Sequence, residues 1–152
     1  GLPMSPLNLL GLVGPAVALH VAQTLHDNLG DRYRVSPTVT RLVQSGIKTF
    51  YLKDADGKLT PNPQALALIE KGVKPSTADD LRKRALVALA SEAKLMLDEG
   101  VVSTPAEIDL CMLMGAGWPM HLGGILPYLD REGISSQVCG SRFHSPGVAS
   151  LN

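Results

Sequence analysis

The stretch GAGWPMHLGGILPYLDREG, residues 115–133, echoes the opening GLPMSPLNLLGLVG, residues 1–14. Shifted by 116 positions (Gly117 set against Gly1), Gly1, Pro3 and Met4 fall on Gly117, Pro119 and Met120. Leu9 and Leu10 then fall on Ile125 and Leu126, and Val13 on Leu129. A Gly-x-Pro-Met turn leading into an apolar helix is written twice, which points to two diverged copies of one helical unit. The second copy follows two predicted helices, 77–98 and 105–114, whereas nothing precedes the first. The chain therefore reads as the C-terminal piece of a longer protein, its first unit short of at least about 40 residues, the length from Thr77 to Ala116.

The punctuation between the copies is helical. Ser5 with Pro6, and Ser36 with Pro37, pair a capping hydroxyl with proline at the first helical position, where its missing N–H costs nothing. From Pro15 to Leu29, Ala18, Ala22, Leu25 and Leu29 recur at helical spacing with Val21 beside them, and Gly30 stops the run. His20 and His26 fall on the polar side of that helix and read as solvated. Thr49–Leu52 is β-prone, DADG at 54–57 is a turn, and Lys58–Thr60 returns, so a small hairpin is predicted over 49–60. The TPNPQ loop at 60–64 then leads into a short helix ending at Gly72.

Ser76 or Thr77 caps the longest helix, with Asp79 and Asp80 at its positive end and an apolar stripe of Leu81, Ala85, Leu89, Ala93 and Met96. Asp98 and Glu99 have the wrong sign for its C-terminus. TPAE at 104–107 reads as a capping box for a helix to Met114. A last helix is predicted over 121–131, followed by a polar, Gly/Ser-rich tail of loop or docked coil. The fold class is all-α with one small hairpin, in two units of residues 1–74 and 75–152.

At 45% hydrophobic and 18% charged residues, the 152-residue chain can build a packed core. Its 14 basic and 14 acidic residues cancel without any like-charge run, which argues against nucleic acid. No apolar stretch reaches the roughly 20 residues of a membrane span, and a cytoplasmic protein fits best. Cys111, inside an apolar run, reads as a small buried hydrophobe rather than a catalytic thiol. Four histidines lie scattered, with no cysteine or carboxylate cluster near them, so no metal site is predicted. His121 reads as structural, donating to a nearby carbonyl, and His144 in the tail takes no assignment.

PMSPLNLLGLVG, the KTFYLKDADGK hairpin and EGVVSTPAEIDLCMLMGAGWPMHLGGILPYLDREG together resemble the C-terminal helical region of L-3-hydroxyacyl-CoA dehydrogenases. The doubled unit resembles in particular the multifunctional fatty-acid β-oxidation α subunits, and the likeness runs to about Val148. It implies a helical fold of the 6-phosphogluconate-dehydrogenase C-terminal type and a parent enzyme that oxidises 3-hydroxyacyl-CoA to 3-ketoacyl-CoA with NAD. It also implies an enoyl-CoA hydratase domain and a nucleotide-binding domain ahead of this region, a thiolase β subunit as partner, and homo-oligomer formation. In that family a His–Glu general-base pair and a Gly-rich strand-to-helix turn for NAD lie on the nucleotide-binding domain. Neither is written here, since GAGWPMHLGG follows a helix, so the chain by itself is expected to be inactive and to bind no NAD.

The substrate-proximal candidates are Pro3 and Met4 in the first turn, and Met114, Gly117, Trp118 and Pro119 in the second. Each turn exposes backbone N–H groups at the next helix start, although glycine and proline also simply shape such turns. The resemblance implies a substrate-contacting tyrosine where Met114 stands, leaving only an apolar contact, and a glycine where Thr49 stands. An exposed apolar patch, or self-association that hides it, is expected where absent domains would pack. The alternative is a stand-alone helical protein-interaction module without catalysis.

Overall fold

A computed structural model describes residues 4–70 and 72–148, and Pro3 lies outside the described residues. These residues are mostly helical, with a single two-stranded sheet, and divide into two compact units between Val73 and Lys74.

The first unit carries α1 (Pro6–Val13), α2 (Pro15–Leu29), α3 (Pro37–Gln44), β1 (Tyr51–Lys53), β2 (Leu59–Pro61) and α4 (Pro63–Ala67). Its helix starts share one device. Ser5, Ser36 and Asn62 each accept a backbone N–H from the first turn, and proline occupies the first helical position. Gly14, at φ +94°, ends α1 and lets Pro15 start α2 at once. In the antiparallel hairpin Leu52 faces Thr60, and Asp54 Oδ1 closes the turn by accepting the N–H of Asp56 and Lys58. Asn62 Nδ2 donates to the Thr49 carbonyl at 3.0 Å and ties the hairpin base to α4.

The core of this unit is thin. Leu42, Phe50 and Ala65 are buried, with Leu10, Ile47, Tyr51 and Leu68 packed against them. Neither α1 nor the apolar stripe expected on α2 is fully covered: α1 has no buried residue and its Leu12 is 73% exposed, while Val21 and Leu29 on α2 are 49% and 46% exposed. His20 is exposed as expected, but His26 Nδ1 lies 2.9 Å from the Tyr33 carbonyl and 3.1 Å from that of Gly30. It closes the end of α2 instead of facing solvent alone.

Thr49 has a consequence for packing. A Cβ at Gly11, inside α1, would lie 2.8 Å from Thr49 Oγ1. Glycine-to-alanine in an open helix interior gains about 1 kcal/mol. Gly11→Ala is therefore expected to give no such gain in the wild-type background and to recover it beside Thr49→Gly, measured by denaturant unfolding of the four chains of that cycle.

The second unit carries α5 (Ala78–Asp98), α6 (Pro105–Met114), α7 (Ile125–Arg131) and α8 (Ile134–Cys139). Thr77 caps α5 in a full capping box: its Oγ accepts the Asp80 N–H, while Asp80 Oδ2 accepts the N–H and hydroxyl of Thr77. These bonds, the backbone N–H first, hold the Asp80 carboxyl below the usual aspartate range. A lowered folded pKa stabilises above the unfolded value and is lost as pH falls through the folded one. The first turn of α5 is therefore expected to stay capped below the pH at which an ordinary aspartate protonates and then to fray, with the Thr77 amide proton reporting the titration by NMR.

Four expectations need correction here. The buried stripe of α5 is Leu86, Ala90 and Ala93, while Leu81 and Leu89 remain 53% and 38% exposed. The tail expected as coil contains α8, whose Ile134 and Ser135 are buried, and α8 packs against α5. Thr104 makes no side-chain cap; Glu107 reaches past it to the Ser103 N–H at 2.8 Å. The last helix does not run unbroken from His121: Met120–Leu122 form a 3-10 turn, Gly123 and Gly124 reverse the chain at φ +76° and +110°, and α7 starts at Ile125. Asp98, of the wrong sign for a helix C-terminus, is held by Lys94 Nζ at 2.7 Å.

The two copies of the repeated phrase thus agree in part. Leu9–Val13 and Ile125–Leu129 are helical in both, but α1 begins directly after its Ser5 cap, whereas the second copy inserts the glycine reversal. Leu7 and Asn8 stand where the second copy has Gly123 and Gly124, and neither suits a positive φ as glycine does. Burial differs more. Ile125, Leu126, Pro127, Leu129 and Asp130 of α7 are all buried.

Candidate functional site

The site grows from Gly124. Glycine caps α7 with no side chain, so an acceptor for the first free N–H groups must come from elsewhere. Asp109, one turn into α6, supplies it: Oδ1 accepts the Leu126 N–H at 2.8 Å. A Cβ at Gly124 would lie 2.8 Å from that oxygen, so the glycine is required both by its φ of +110° and by the approach of the carboxylate. The other oxygen of Asp109 accepts from His144 Nε2 at 2.7 Å, with the two side chains 12% and 11% exposed.

Asp130, at the far end of α7, completes the arrangement. Its side chain is fully buried, and its two oxygens accept the N–H groups of Phe143 and His144 at 2.9 and 3.0 Å. Arg142 stands 4.0 Å away. Phe143 packs onto the core of Leu86, Ala90, Ile108 and Leu126. Two buried carboxylates, 21 residues apart in sequence, thus pin the segment after α8 across α6 and α7. Sequence reasoning missed this cluster. His144 lies in a polar tail with no periodicity, and only Asp109, a charge inside the apolar run PAEIDLCMLM, could have signalled it.

The expected site residues spread out. Met114, Gly117, Trp118 and Pro119 share the turn between α6 and α7. Met114 is 77% exposed, Gly117 has φ +70°, Trp118 is buried and Pro119 half-buried. Met4, in the other unit, is 43% exposed. Trp118 packs against Tyr128 with centroids 5.5 Å apart and rings tilted by 59°. Tyr128 in turn accepts a hydrogen bond from Arg82, which also reaches Glu132 at 3.5 Å. The Trp118 indole N–H is buried without a partner among the described residues. His121 is exposed.

The turn does not suit a dinucleotide. A phosphate at the start of α7 would meet the Asp109 carboxylate already bound to the Leu126 N–H, so like charge and occupancy both oppose it. Among the described residues no group of three or more His, Cys, Asp or Glu could hold a metal ion.

Cys111 corrects another expectation, being exposed, whereas Cys139 is half-buried with its thiol pushed up by burial. Cys111 is expected to react with a maleimide at neutral pH several-fold faster than Cys139, as read by mass spectrometry of the partly labelled chain. Among the described residues no single helix is long and apolar enough to cross a membrane.

The family model of the 3-hydroxyacyl-CoA dehydrogenase C-terminal domain matches residues 1–50. A fatty acid oxidation complex subunit alpha of Shewanella putrefaciens is 31% identical over 147 residues, covering 91% of this chain and 21% of that protein. The subunit of the same name from Shewanella baltica is 30% identical, with 94% and 23% covered. A peroxisomal fatty acid beta-oxidation multifunctional protein of Arabidopsis thaliana is 30% identical, with 88% and 21% covered. The chain therefore spans about a fifth of the length of these relatives. On these matches it belongs with the C-terminal regions of L-3-hydroxyacyl-CoA dehydrogenases, like those of fatty acid oxidation complex α subunits.

Proposed function

We propose that the chain is the C-terminal part of an NAD-dependent 3-hydroxyacyl-CoA dehydrogenase of fatty-acid β-oxidation, acting in the cytoplasm. Residues 1–74 and 75–152 would be its two diverged C-terminal units. In this reading the chain is inactive alone and contributes one wall of an acyl-CoA cleft together with an assembly surface. Pro3 and Met4 in the first turn, and Met114, Gly117, Trp118 and Pro119 in the second, would each lie near substrate, with Met114 offering only an apolar contact. The nucleotide-binding and hydratase domains would precede it, and a thiolase β subunit and a second copy would pack on it.

The observation that carries this reading is the contrast between the paired helices. Five residues of α7 are buried in its unit, whereas α1, written from the same phrase, has no fully buried residue and only half-buried Leu10 against the core. Helices α6 and α8 pack against α7, and α5 does so as well. Burying the Leu7, Leu9 and Leu12 side chains would each be worth about 1.5–3 kcal/mol, a strong drive for further chain or a partner to cover α1.

Titrating NADH into the purified chain tests the division of labour, with no saturable binding expected. Saturable binding would place the cofactor site here and overturn the reading. A stand-alone interaction module would instead be supported if the protein isolated from its source had the intact mass of this chain alone.

A further inference from the structure

We draw no further inference here: the strongest candidate, the apolar groove between α1, the start of α2 and the end of α3, with exposed Lys48 beside it, carries nothing, because a helix N-terminus with one surface lysine does not make a site and nothing in the structure shows what covers its apolar walls.

Discussion

Asp109→Ala is expected to lower the stability of the second unit by about 3–5 kcal/mol, because it leaves two donors in the interior, the Leu126 N–H and the His144 ring N–H, without their acceptor. The carboxylate has two tasks that no neighbour can take over. It accepts the Leu126 N–H at the glycine-capped start of α7, and it accepts from His144 in the segment that crosses α6 and α7. Without it a buried backbone N–H is left unpaired, at about 1–3 kcal/mol, and a largely buried imidazole loses its partner. For a unit of this size each kcal/mol shifts the melting temperature by roughly 4–8 °C, so a fall of more than 10 °C is expected by calorimetry. Asp109→Asn keeps an acceptor for Leu126 and should retain most of the stability. If the alanine variant melted within 2–3 °C of wild type, the pinning role of Asp109 would be wrong.

Gly124→Ala should be comparably severe, for a reason that depends on the same carboxylate. Gly124 has φ +110° and ψ 160°, a region open essentially to glycine alone and costing a side-chain-bearing residue about 1–3 kcal/mol. Its new Cβ would lie 2.8 Å from Asp109 Oδ1 and 2.9 Å from Cγ, so the carboxylate must move off the Leu126 N–H. The total is expected at about 3–5 kcal/mol by denaturant unfolding, combining the backbone cost with the lost cap. A double-mutant cycle separates the parts. In the Asp109→Ala background the collision with the carboxylate is gone, and Gly124→Ala should cost at least about 1 kcal/mol less than in wild type. Strict additivity would show that Gly124 and Asp109 act independently.

Both effects arise where local signals were weakest. The helix starts at Pro6, Pro37 and Pro105 and the DADG turn were legible because each rests on residues adjacent in sequence. The stripe on α5 was misread for the opposite reason. Leu81, Ala85 and Leu89 satisfy helical periodicity as well as Leu86, Ala90 and Ala93 do. Which face is buried was settled by α8, six residues in a polar segment with no amphipathic pattern of its own. Cys111 was misplaced in the same way, because an apolar run lets a helix turn any of its faces outward.

The sequence by itself determined that the chain is helical with one hairpin, where most helices start, and that one phrase occurs twice, since these follow from capping chemistry, proline and glycine at neighbouring positions. Tertiary structure alone decided that one copy of that phrase is buried and the other largely exposed, that α7 begins after a glycine reversal, and that His144 meets Asp109 across 35 residues of chain. The physical reason is distance along the chain. A cap or a turn is closed by residues within about four positions, but the partner of a buried carboxylate is chosen by whichever donor the folded backbone brings to it.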